Sequence, residues 1–320
     1  MKKFNAAIVM LSSRSQLVEK TLTEIFMNWN NKYQYPVYIF YFNNIYSKTF
    51  INRIHKNISK NIHFLPANYK VPNNLSENEM YYNRKQIPYV KASFPKKRIG
   101  YLHMIRFKLN FLTNLINNIY PDVIKYEYIL SIDDDSWVKK NIDYDLFENA
   151  LINPLSTAYT YDEVTSRIKD TRLGLWDYYY NYIKINKIIP KNIKLRKAFE
   201  LNSEELMHKI TWRGGNFDIY DMKFFRNNNN WESFARKFRE SNGDYKYRWG
   251  DGEIVTLYCY TYLENINDMK LSEKGIFQHG YPTNLSSYAP FTKFTLNVNN
   301  FYIIRVYHNL KKIIKNWLSF

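Results

Sequence analysis

Three consecutive carboxylates, Asp133, Asp134 and Asp135, close a short apolar run that begins near residue 126. Anions this close repel one another unless a cation sits among them. The run reads as a buried strand over 126–132. In an open α/β sheet, ligands bind beyond the carboxyl ends of the strands. Carboxylates at that edge are suited to a hard divalent metal gripping a phosphate, although an Asp-rich turn capping the next element is a competing reading. A histidine, His279, ends another predicted strand far along the chain. If Asp133, Asp135 and His279 converge, two oxygens and one imidazole leave open positions on an octahedral ion. That mixture suits Mn2+ better than Ca2+ or a structural Zn2+. Such a metal would bridge the two phosphates of a nucleotide-sugar and neutralise the charge growing on the departing diphosphate. Arg14, Tyr101, Arg106 and Arg248 are candidate donors to the same charge. Asp218, across the sugar from the leaving group, is the candidate to stabilise an oxocarbenium-like centre or to attack it. Each residue also has a plainer role open to it: polar surface for Tyr101 and Arg106, a structural imidazole for His279, a turn or cap for Asp218.

The elements that would position these groups follow a strand–helix alternation. A continuous apolar run at 6–11 predicts a buried parallel strand, followed by a second strand at 37–42 and a third, short one at 62–65. Helices are predicted over 16–29, with serine hydroxyls around Arg14 as N-caps, and over 49–58. Right-handed βαβ units and a mostly parallel sheet follow. Residues 66–97 are polar and rich in Pro and Asn, a long surface excursion. A strong helix over 99–118 carries Tyr101, His103 and Arg106 near its start, with Met104, Phe107, Phe111, Leu112 and Leu115 at helical spacing. In the second half, 157–161 predicts a strand, 173–185 an aromatic helix, and 188–200 a basic helix or loop. A Gly-Gly turn and short strand over 212–220 place Asp218 among apolar neighbours. Helices follow at 231–239 and 253–263. One catalytic domain over 1–295 and a terminal element over 296–320 are expected.

The 320 residues are 45% hydrophobic and 18% aromatic, enough for a large core, which argues against disorder except locally. The net charge of +17 suits polyanionic partners (nucleic acid, an anionic membrane or phosphorylated ligands) without choosing among them. The single cysteine, Cys259, excludes an internal disulfide and lies in an apolar run as a buried thiol. The opening residues read as a first strand rather than a signal peptide. Residues 302–318 form a basic amphipathic pattern, suited to peripheral membrane contact or to docking on the domain.

The ordered motifs resemble the fungal α-1,2-mannosyltransferases, glycosyltransferase family fifteen. The segment Tyr101-Leu102-His103-Met104-Ile105-Arg106-Phe107 is similar to the family's Tyr-x-x-Met-x-Arg-Phe. Asp133-Asp134-Asp135 falls where the family has Glu-Pro-Asp. Asn216-Phe217-Asp218-Ile219 resembles Asn-Phe-Glu-Ile, Arg248-Trp249-Gly250-Asp251 matches Arg-Trp-Gly-Asp, and Phe277-Gln278-His279 resembles Tyr-x-His. The resemblance spans about 5–290. It implies a GT-A glycosyltransferase-like α/β fold, a Rossmann-like mixed sheet flanked by helices. It further implies GDP-mannose as donor, Mn2+, and retaining transfer of mannose to the 2-hydroxyl of a mannoside or glycan acceptor. Asp133 stands at the metal-binding Glu, His279 at the metal-binding His, Tyr101 at a Tyr near the diphosphate, and Asp218 at a Glu beside the reacting carbon. Asp135, Arg106 and Asp251 fall on motif positions, with roles inferred from charge. Shortening Glu to Asp at 133 leaves Asp134 or Asp135 to share the metal, and at 218 it weakens a nucleophilic role. The family's membrane anchor has no counterpart here, so the compartment is not carried over. Against this enzyme reading stand a catalytically impaired relative, a transferase using another nucleotide-sugar, and a basic nucleic-acid-binding protein. The positive charge is not gathered into a nucleic-acid motif, and no nucleic acid is expected as partner.

Overall fold

The computed structural model describes residues 4–280 apart from 13, 43–44, 68–70, 81–98, 115–118 and 163–171. The terminal element predicted over 296–320, the domain boundary at 295, most of the excursion over 66–97 and the last residues of the helix predicted over 99–118 lie outside the described residues. Of that excursion, 71–80 is described, and Leu75 and Met80 are buried rather than at the surface.

Seven strands build the main sheet: β1 (Ala6–Ser12), β2 (Val37–Tyr41), β3 (Ile62–Pro66), β4 (Tyr128–Asp133), β6 (Leu155–Thr157), β9 (Phe217–Asp221) and β10 (Asn267–Asp268). Their order is β10-β6-β9-β4-β1-β2-β3. β1 pairs in parallel with both β2 and β4, so the strand order reverses beside β1. That reversal opens a crevice at the carboxyl ends of β1 and β4, where ligands of such sheets bind. The sheet is mostly parallel, as expected: six of its seven strands run the same way, and β9 alone is reversed, which makes it mixed. β9 runs antiparallel to β4 and β6, which brings its first residues, not its last, to the crevice.

Both faces of the sheet are covered, and for that reason β1 is apolar throughout instead of alternating. Its successive side chains still part by pleat. Ala7 and Val9 join the core formed with the helices α3 (Ile99–Phe111), α4 (Leu175–Ile185), α5 (Asn229–Ser241) and α6 (Asp251–Tyr262). Ala6, Ile8 and Met10 join the opposite core with α1 (Ser15–Ile25) and α2 (Lys48–Asn57).

Two local outcomes differ from the sequence reading. The N-cap position of α1 is Arg14, whose guanidinium has no acceptor to cap with, and the Ser12 hydroxyl donates to Asp134. Residues 157–161 split between two sheets: β6 belongs to the main one, while β7 (Thr160–Tyr161) pairs with β8 (Trp212–Arg213). The stretch 212–220 turns where expected, at Gly214 and Gly215. A Cβ at Gly214 would sit 2.5 Å from the Tyr159 ring, and Gly215 has a φ of +79° that favours glycine. No helix among the described residues is long and apolar enough to cross a membrane.

Candidate active site

β4 ends at Asp133, and after a turn the chain reverses into β5 (Ser136–Val138). That short strand pairs antiparallel with β11 (Phe277–His279), with His279 opposite Ser136. This pairing carries an imidazole from the far end of the domain to the acidic turn. His279 Nδ1 stands 3.5 Å from Asp135 Oδ1. One ligand atom each from Asp133, Asp135 and His279 lies within 4.8 Å of the others. Two carboxylate oxygens and an imidazole nitrogen at that spacing fit a divalent ion such as Mn2+.

Asp134 has a different task. Only 3% exposed, it accepts from the Ser12 hydroxyl and the Arg14 guanidinium, while its carbonyl accepts from Thr21 Oγ1 at 2.7 Å. Tyr46 donates in turn to Ser12 at 2.9 Å. Burial pushes the Asp134 carboxyl up against these donors. It anchors the acidic turn to β1 and α1. Of the two aspartates that could share the metal with Asp133, Asp135 is the one so placed. Arg14 reaches Asp135 as well, at 3.1 Å, and its side chain remains 46% exposed at the crevice.

Two buried cations organise the remaining carboxylates. Lys108 Nζ donates to Asp133 Oδ1 at 2.6 Å and to the Gly215 carbonyl at 3.2 Å, and lies 3.8 Å from Asp251 Oδ2. The other oxygen of Asp133 accepts from Asn216 Nδ2 at 2.8 Å. Burial alone would raise the Asp133 pKa, but Lys108, with Asn216 and His279, outweighs it and holds the carboxyl below its ordinary range. Arg213, fully buried, pairs with Asp218 and also reaches the Asp251 carbonyl at 3.0 Å and carboxylate at 3.4 Å. Tyr220 donates to the same Asp218 oxygen at 3.2 Å, while Asp218 Oδ1 is buried without a hydrogen-bond partner among the described residues. The result is an alternating series of charges: Asp133, Lys108, Asp251, Arg213, Asp218. Asp218 is therefore not among apolar neighbours alone. A carboxylate 1% exposed needs a partner, and Arg213 provides it.

Tyr101 and Arg248 meet each other, the guanidinium 4.8 Å from the ring centroid. The charges of Arg248, Asp251 and Lys108 all bear on the Tyr101 hydroxyl. Arg106, expected at the diphosphate, is tied elsewhere. It donates to both oxygens of Asp244 at 2.5 and 2.6 Å and to Asn242 at 3.2 Å. Asp244 is fully buried, and a bidentate guanidinium is what such a carboxylate requires.

Sequence reasoning missed Lys108, Arg213 and the role of Asn216. A signal for Lys108 was present: it lies four residues from Met104 and from Leu112, on the apolar stripe of its helix. A charge on a buried stripe wants an opposite charge nearby.

The glycolipid 2-alpha-mannosyltransferase family model matches residues 1–284. The chain is 25% identical over 276 residues to the "Probable mannosyltransferase MNT3" of Candida albicans, covering 82% of this chain and 66% of that one. It is 24% identical over 271 residues to the "Probable mannosyltransferase KTR3" of Saccharomyces cerevisiae, covering 82% and 64%. The chain thus spans just under two thirds of the length of these curated relatives. Among solved structures, the mannosyltransferase Ktr4p of S. cerevisiae in complex with GDP superposes with a TM-score of 0.66 at 17% identity, over 82% of this chain and 68% of that one. Core-mannan synthase A of Aspergillus fumigatus, in an Mn/GDP form, gives 0.63 at 16% identity, over 81% and 70%. These similarities show the shared GT-A fold.

Proposed function

The chain belongs to the glycolipid 2-alpha-mannosyltransferase family, and on that premise we propose that it is a metal-dependent retaining transferase moving mannose from GDP-mannose to the 2-hydroxyl of a mannoside. The observation that carries this reading is the convergence of Asp133, Asp135 and His279 at the strand-order reversal. Mn2+ held there would neutralise charge on the departing diphosphate. Around it, Tyr101 and Arg248 offer a hydroxyl and a guanidinium to phosphate oxygens, and the exposed part of Arg14 adds a third donor. Asp251 opens α6, next to Lys108 and Arg213, and fixes the floor of the cleft.

Asp218 serves better as a stabiliser of positive charge than as a nucleophile. One of its oxygens is bound by Arg213 and Tyr220, and a carboxylate sharing its charge with a guanidinium attacks poorly. The acceptor oxygen then bonds to the anomeric carbon on the face the diphosphate leaves, and the acceptor proton passes to the departing phosphate oxygen. The same buried pair favours one second reading, a relative that binds nucleotide without turning over.

Release of GDP from GDP-mannose, with Mn2+ and a mannoside acceptor, is the test. Asp133→Ala combined with His279→Ala should abolish it. Asp218→Asn should slow it about 10- to 100-fold without trapping a glycosyl-enzyme. No release of nucleotide from any nucleotide-sugar, with Mn2+-dependent thermal stabilisation by GDP retained, would replace this reading with the second.

A further inference from the structure

Lys108 stands where the metal reading leaves no place for it. Its ammonium already occupies Asp133 Oδ1 at 2.6 Å, and Asn216 holds the other oxygen at 2.8 Å. Both oxygens of the carboxylate are therefore engaged before any ion arrives. An ion drawn to Asp133 would share that carboxylate with a second cation, and like charges over such a distance in a half-buried site repel. Lys108 cannot swing far. It belongs to α3, packed in the core, and its side chain is 12% exposed. It does have a second seat: Asp251 Oδ2 is 3.8 Å away, and the Gly215 carbonyl holds the ammonium between the two carboxylates.

We infer that Lys108 makes metal binding at Asp133, Asp135 and His279 depend on the nucleotide. The inference rests on the metal-dependent reading of the same site. With Lys108 shared between Asp133 and Asp251, a dication alone meets a site already supplied with positive charge. The diphosphate brings the missing negative charge, and metal and nucleotide then bind together. Because binding free energies are reciprocal, the metal strengthens nucleotide binding by the same factor. Lys108 is thus a positioning residue for the metal and is not assigned a bond to substrate.

Mn2+ affinity of the full chain, read by the electron paramagnetic resonance of free Mn2+ with and without GDP, tests this for wild type, Lys108→Met and Lys108→Arg. Wild type should bind Mn2+ at least about tenfold more tightly when GDP is present. Lys108→Met should bind Mn2+ alone about tenfold more tightly than wild type, with a smaller enhancement by GDP. Lys108→Arg, which keeps the charge, should retain the wild-type enhancement. A merely structural lysine would weaken Mn2+ binding on removal, so unchanged or weaker affinity in Lys108→Met overturns the inference and leaves the metal site standing. Should Lys108→Met not fold, wild type decides: Mn2+ bound as tightly alone as with GDP overturns it. Absence of Mn2+ binding by wild type under either condition overturns the metal reading itself.

Discussion

Asp133 and Asp218 lie on neighbouring strands, β4 and β9, and each faces a cation donated from another element. They are built for opposite purposes. Asp218 is 1% exposed and meets a guanidinium that is itself wholly buried, with a tyrosine hydroxyl filling in beside it. Asp133 keeps 16% of its side chain exposed and meets an ammonium with a second carboxylate in reach. The first pair is shut away from water: Arg213 also reaches Asp251, but separating Arg213 from Asp218 would leave the Asp218 carboxylate uncompensated in a low-dielectric interior. The second can change partners, because water and Asp251 both stand ready. Carboxylate and cation are the chemistry of a lock in one place and of an exchangeable ligand in the other. Exposure decides which.

The contrast breaks most visibly at Arg213. Arg213→Met leaves Asp218 buried without its counter-charge, and should lower stability by about 3–5 kcal/mol in urea unfolding. A loss under 1 kcal/mol would mean that Asp218 is not locked. Asp133→Asn should cost far less in the metal-free protein, about 1–2 kcal/mol, since Lys108 retains Asp251 and the Gly215 carbonyl. The same variant should lose Mn2+ binding. Equal stability losses at the two positions would erase the distinction.

The carboxylate of each pair stood out in the sequence, and the cation of each, Lys108 and Arg213, did not. Carboxylates and a histidine at strand ends announce themselves, because polar groups that terminate apolar runs have few structural reasons to be there. The strands over 6–11 and 37–42 were equally plain, being apolar on both faces. Arg213 was hidden because its partner lies beyond a Gly-Gly break that only tertiary structure turns into a contact. Arg106 misled for a related reason. An arginine near a helix start suggests an anion, and its actual anion, Asp244, is 138 residues away. The reversal of β9 was hidden as well, since the direction of a short apolar strand leaves no trace in its composition.

The smallest effect concerns protons. In the metal-free protein Lys108, with Asn216 and His279, holds Asp133 below the ordinary carboxylate range, in spite of burial. A folded pKa below the unfolded value, about 4, contributes stability that is present above that value and fades as pH falls through the lower one. In Lys108→Met burial meets only Asn216 and the charge of His279, so the folded pKa rises and the contribution is lost. The stability difference between wild type and Lys108→Met should therefore narrow by about 1 kcal/mol between pH 6 and pH 3.5. Urea midpoints in the presence of a chelator measure it, and the other titrating groups, common to both proteins, largely cancel. Curves that stay parallel would mean that the ammonium at Asp133 does not set its charge, and Asp133 would then belong with Asp218 on the locked side.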